Sequence, residues 1–273
     1  GSSDSWLSAD SSFSSNYTYY GHGAVVYASS SAAVDSTRDD FSSNASAYYT
    51  SGYVGGVAYL GTGATFAGAD STFTSNSGYH GGAIHGSSTN DITLSGCDFD
   101  SNYAYYYGGA VYQYYAGVLD VDDATFTSNS ARYSGGALYL QDTIAASVDG
   151  SSFSENQAVS SYGGSLYQYY YGSIELSDVT FDGDYSYSSG GSVYLQQLYS
   201  TAALSNVHID QAEAYRGYGG GLYAYHNTTL DVSESSFTDN VAYYDGGGVY
   251  NYYYSGGSYD QTDFDGNLAT YGH

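Results

Sequence analysis

The sequence predicts an all-β protein: a right-handed parallel β-helix (solenoid) of about ten coils with three short strands per coil, forming a single domain over residues 1–273. Three observations predict it. A Phe-x-x-Asn segment recurs along the whole chain, a Gly-rich segment keeps step with it, and alternating apolar residues lead into each Phe.

The Phe segment starts at Phe13, Phe41, Phe73, Phe99, Phe126, Phe153, Phe237 and Phe264, with degenerate copies at Phe181 and Ile209. Successive starts lie 28, 32, 26, 27, 27, 28, 28, 28 and 27 residues apart, so nine intervals define ten units. The second element follows each Phe, as in Gly81-Gly82-Ala83-Ile84, Gly108-Gly109-Ala110-Val111 and Gly135-Gly136-Ala137-Leu138, and continues at Gly163, Gly190, Gly219 and Gly246. The third precedes Phe by seven and five positions, as in Ile92/Leu94, Leu119/Val121, Ile174/Leu176 and Leu230/Val232. Polar residues between these apolar pairs give the period-two pattern of a strand, and Ser, Asn, Asp and Gly fill the turns. The expected strands are therefore one ending at the Phe, one after the Gly pair and one leading to the next Phe.

Three strands in about 27 residues cannot close a sandwich, but one solenoid turn per unit lets equivalent strands pair in parallel. Parallel crossovers are right-handed, so the right-handed form follows. At roughly 4.8 Å per coil the rod would be about 45–50 Å long. Its ladder consists of the stacked Phe side chains and of Asn16, Asn44, Asn76, Asn102, Asn129, Asn156, Asn240 and Asn267, whose amides can bond their equivalents in adjacent coils. Asp184 and Ala212 interrupt the Asn series, which predicts a local weakness there. The Gly pairs fit a tight bend or a positive φ that a Cβ would obstruct.

Phe-x-x-Asn alternating with Gly-Gly-Ala-(Ile/Leu/Val) resembles the repeat of the chlamydial polymorphic outer-membrane proteins, within the wider pectin-lyase-like β-helix group. The resemblance covers nearly the whole chain. It implies a secreted, adhesive β-helical passenger; in that family a membrane barrel follows, and no barrel-like segment follows here.

Three Lys+Arg, all Arg, against 28 Asp+Glu give a formal charge of −25, which excludes nucleic acid as a partner and disfavours anionic membrane surfaces. No apolar run is long enough to enter a bilayer. Cys97 is the one cysteine, placed between Leu94 and Phe99 where a packed thiol is expected. Sequons at Asn16, Asn44 and Asn227 permit N-glycosylation, Asn227 best because the other two belong to the Asn ladder.

The chain's most individual feature is its 39 Tyr, clustered before and after the Gly pairs. If the aliphatic residue after each pair faces inward, the next Tyr faces outward, and a stripe of Tyr112, Tyr114, Tyr139, Tyr167, Tyr169, Tyr194, Tyr223, Tyr225, Tyr250 and Tyr252 forms a contact face. The chain begins and stops inside repeats, so uncapped strand edges are expected, and a head-to-tail contact that does not close makes a filament.

Catalysis is not expected. The three Arg are scattered over distant coils, and Asp120, Glu175 and Asp231, at equivalent positions, stand two coils apart, as solvated face acids would. No cofactor is required; Ca²⁺ is the optional one, with Asp120, Asp122, Asp182 and Asp210 as the candidate ligands. The sequence thus describes an extracellular or cell-surface structural protein, a rod that partners itself head-to-tail in a filament or surface layer with a Tyr-rich contact face. An adhesin or glycan-binding passenger is the alternative, and a polysaccharide-degrading enzyme the third.

Overall fold

In a computed structural model, which describes residues 4–47 and 54–272, every regular element is a β-strand and every strand pairing is parallel. Each coil follows one path. A leading strand such as Val118–Asp122 bends into a three-residue Phe strand such as Thr125–Thr127; a two-residue strand, Ser130–Ala131, follows the Asn turn; and a four-residue strand, Leu138–Gln141, follows the Gly pair. Stacking the coils gives sheets of 18, 10 and 9 strands. The ten rungs at the Phe position bound nine full turns.

The strand assignment needs one correction. The leading and Phe segments are not separate walls but two parts of one bent sheet, and in two coils they run unbroken as Ser173–Asp182 and Thr201–Asp210. The third wall is the short strand after each ladder position, two residues long in most coils and four or five at Ser77–His80 and Tyr103–Tyr107, which the three expected strands do not include. Its inward positions are small, for instance Ala104, Ala131, Ala158, Ser186, Ala214 and Ala242, because the coil is narrow there. Small side chains give no apolar signal.

Register is continuous along the Phe position, from Phe13 opposite Phe41 to Phe237 opposite Phe264, with Ile209 between Phe181 and Phe237. The rings stack with centroids 4.5–5.1 Å apart and planes within 16°. Phe41, Phe73, Phe99, Phe126, Phe153, Phe181 and Phe237 are fully buried; at about 1.5–3 kcal/mol each, they are the main apolar contribution of this corner. The outermost rungs differ: Phe13 is half-buried and Phe264 is 49% exposed. The leading pairs Ile92/Leu94 and Leu119/Val121 are also fully buried.

The two glycines of each pair do different jobs. Gly135 has φ +66°, the left-handed region, and turns the chain. Gly136 leaves no room for a Cβ, which would run into the Gly164 carbonyl of the next coil and the Gln157 backbone. The same close approach recurs at Gly82, Gly109, Gly164 and Gly191, so the pair lets two walls meet backbone to backbone.

Candidate functional site: the tyrosine face

The Asn ladder runs inside the rod and sets its regularity. Asn102 Nδ2 donates to the Phe73 carbonyl (2.8 Å) and to Asn129 Oδ1 (3.0 Å), and Asn102 N donates to the same Oδ1 (3.0 Å). Asn44, Asn76, Asn129 and Asn240 repeat this pattern, and Asn16 and Asn267 close it at partly buried outer rungs. The residue before each ladder position takes a positive φ, for instance Ser101 at 57° and Ser128 at 55°. At Ala212 only the backbone N–H remains to bond Asn240 Oδ1 (2.9 Å). At Asp184 the carboxyl is wholly buried; Oδ1 accepts from Asn156 N (2.9 Å) and Oδ2 has no hydrogen-bond partner. Burial lifts its pKa from 3.8 to about 7, against the lowering effect of Ser165, Ser192 and Asn156.

Outside the nine-stranded sheet stands a second ladder. Residues after the inward aliphatic fall in one column, Tyr27, Tyr59, His85, Tyr112, Tyr139, Tyr167, Tyr194, Tyr223 and Tyr250, in register through every strand pair. Neighbouring ring centroids lie 4.8–5.6 Å apart. Five of the eight neighbouring pairs are stacked within 20°, which turns their edges outward, while the two pairs at His85 and the pair Tyr194–Tyr223 are tilted by 39–56°. His85 takes a Tyr rung, an exchange the sequence reading did not pick out.

The central Tyr column is not the exposed contact face that the sequence predicts. Tyr112, Tyr139, Tyr167, Tyr194 and Tyr223 do point away from the interior, yet they are only 4–7% exposed. Other tyrosines cover them: Tyr107, Tyr162 and Tyr218 on one flank, Tyr114, Tyr169 and Tyr225 on the other. Burial raises the Tyr139, Tyr167, Tyr194 and Tyr223 hydroxyls well above the ordinary phenol range, so the column stays uncharged. Over these five rungs solvent meets the half-buried flanking set, with Tyr252 more open at 49% exposure; elsewhere in the column Tyr27 is itself 58% exposed.

The flanks alternate with a period of two coils. One flank reads Tyr107, Ser134, Tyr162, Ser189, Tyr218, and the other reads Tyr114, Gln141, Tyr169, Gln196, Tyr225, Tyr252. Beside each Ser a Tyr leans over the next coil, so Tyr107 lies 4.6 Å from Tyr139 and Tyr162 lies 4.7 Å from Tyr194. The signal was present in the sequence as spacings of 55 and 56 residues between flank tyrosines, twice the repeat.

Residues 82–269 match the family model of the right handed beta helix region, well over half of the chain. The protein belongs to the right-handed β-helix family. Within this β-helix, residues 70–87 also match the repeat of the Chlamydia polymorphic membrane proteins, a likeness of part of one coil that spans Phe73, Asn76 and the Gly81-Gly82 pair. No curated protein and no solved structure matches it.

The β-helix scatters the remaining candidates. Asp120, Asp122 and Asp182 are exposed on the outer face of the bent sheet, and Asp210 stands one rung from Asp182; among the described residues no group of three or more His, Cys, Asp or Glu is placed to hold a metal. Asn44 is fully buried in the ladder, where a glycan would displace its hydrogen bonds, and Asn16 is partly buried with the same bonds. Asn227 sits in a turn at φ 58°, partly exposed beside Tyr199 and Tyr254. Cys97 is buried and its thiol is pushed up to about 11, chiefly by desolvation. Arg132 donates to Tyr105 Oη (2.6 Å) and lies over that ring, Arg216 lies over Tyr187 and Tyr215, and Arg38 pairs with Asp10 at 2.7 Å.

Proposed function

We propose that the protein is an extracellular, surface-associated structural rod that works by contact through its Tyr-clad sheet, without a catalytic role. The observation that carries this is the tyrosine sheath: an outward column buried under a second layer of tyrosines. A fold does not need a double aromatic layer outside its own closed core, and exposed aromatic surface marks interaction sites. Membership of the β-helix family and the likeness to a membrane-protein repeat support the surface location. Tyr supplies area, rigidity and a hydroxyl at low entropic cost, and the tyrosines of the sheath are uncharged in a chain of net charge −25. Cations then serve as diffuse screening of that charge rather than as ligands.

The test has two parts. Antibody labelling of intact source cells should give full signal without permeabilisation; signal only after permeabilisation sinks the surface location. The triple variant Tyr114→Ser, Tyr169→Ser, Tyr225→Ser should keep its far-UV circular dichroism and lose retention on the cell surface. Undiminished retention would remove the Tyr face from the function, and filaments in negative stain by both proteins would place the contact at the rod ends instead.

A further inference from the structure

The two-coil alternation of the outer flank leaves places for rings that the chain itself does not fill. In the column Tyr114, Gln141, Tyr169, Gln196, Tyr225, successive Tyr stand two rungs apart, about 9.6 Å at roughly 4.8 Å per strand. Tyr169 is tilted by 33° from Tyr167, whereas Tyr114 and Tyr225 lie within 16° and 12° of the planes of Tyr112 and Tyr223, which stack along the rod. Their faces are therefore turned along the rod axis, towards the Gln rungs. A ring inserted at Gln141 would lie about 4.8 Å from the rings on either side, the spacing at which Tyr139 sits between Tyr112 and Tyr167 (5.2 and 4.9 Å). The molecule supplies its own reference for a filled rung: Tyr252 follows Tyr225 directly and stacks on it at 5.9 Å and 12°.

The glutamines are held so that the slots stay open. Tyr167 Oη donates to Gln196 Oε1 (2.9 Å), and Tyr139 Oη donates to Gln141 Oε1 (3.5 Å). An open groove reaches the first slot, lined by residues that include His80, Tyr107, Tyr114 and Gln141.

We infer that these slots receive the flank tyrosines of a second copy of this chain, the two rods lying antiparallel and offset by one rung. The inference rests on the contact-face reading and names its partner. The column is self-complementary, since Tyr-Gln-Tyr-Gln-Tyr reads the same in both directions. A two-fold axis then places Tyr169 of each copy in the Gln141 slot of the other and Tyr114 in the Gln196 slot, as an isologous interface requires. The interdigitated rings themselves carry no charge; Asp142, beside Gln141, and the net charge of −25 oppose approach, and added salt screens both. A ligand of another kind would not need to match the period of the protein's own strands.

The experiment is sedimentation equilibrium of the full chain at low and high NaCl, with three variants. The wild type should dimerise more tightly as salt rises. Gln141→Tyr with Gln196→Tyr, which fills the slots as Tyr252 fills its rung, should weaken dimerisation by roughly tenfold or more while keeping the circular dichroism spectrum and unfolding midpoint. Tyr169→Gln should weaken it similarly, and Tyr252→Gln, outside the paired segment, should leave it unchanged. A wild type that is monomeric at every salt and concentration overturns the inference but leaves contact with a different surface intact. A slot-filled variant that dimerises as well as or better than the wild type also overturns it, because general Tyr adhesion gains from added rings whereas interdigitation loses.

Discussion

Replacing Asp184 by Asn should stabilise the protein at neutral and alkaline pH and change little near pH 3. Asp184 occupies the one rung where a carboxyl stands in the buried Asn ladder. By the register of that ladder, the Phe153 carbonyl that would receive Nδ2 of an Asn faces a carboxyl instead. Burial raises the folded-state pKa to about 7 from 3.8. The folded protein therefore holds its proton to higher pH than the unfolded chain. This group's contribution is fully present below 3.8, declines as pH rises, and is lost once pH passes about 7. At about 1.4 kcal/mol per pH unit the full difference is roughly 4 kcal/mol, and relaxation around the ionised carboxylate brings the expected gain of Asp184→Asn at pH 8 to about 2–4 kcal/mol. Urea unfolding of both proteins at several pH values between 3 and 8 would measure it, the difference rising from near zero to that plateau. A gain independent of pH would refute the neutral buried carboxyl, and a loss at pH 8 would show that an Asn cannot take the rung.

Other rungs give further expectations. Asn129→Ala removes two donated and two accepted hydrogen bonds in a fully buried row and should cost about 3–5 kcal/mol in denaturant unfolding. Gly136→Ala should prevent the native fold, with loss of β-type circular dichroism, because its Cβ meets backbone of the adjoining coil; Gly256→Ala, with nothing within 4 Å of its Cβ, should be silent. His85 is fully buried and His80 nearly so, and desolvation is the main cause holding the first well below 6.5 and the second at about 4. The unfolded chain takes up those protons first, so their contribution is present above 6.5 and falls away as pH drops below it. His85→Tyr, which restores a Tyr rung, should therefore raise the thermal midpoint at pH 5 more than at pH 8.

Several of these features were legible in the sequence because each needs only one strong residue per coil. Phe at intervals near 27, with Asn three places on, specifies the period, the parallel register and a buried amide row, and the Gly pairs mark where two walls touch. The short strands after the ladder positions were not legible. Their inward residues are Ala, Ser or Gly, chosen for smallness where the Gly pairs approach, and smallness carries no periodic apolar signal.

The sequence by itself determined the coil: its length, its Phe and Asn ladders, its uncharged Tyr stripe and the two breaks at Asp184 and Ala212. Only the tertiary structure decided which tyrosines meet solvent. Exposure of an outward side chain depends on its neighbours one coil above and below, some 27 residues away, and on flanking columns that alternate every 55 or 56 residues. The same coil-to-coil packing decided that Tyr112 and its equivalents are a buried second core, that His85 completes their column, and that Gln141 and Gln196 hold ring-sized slots open.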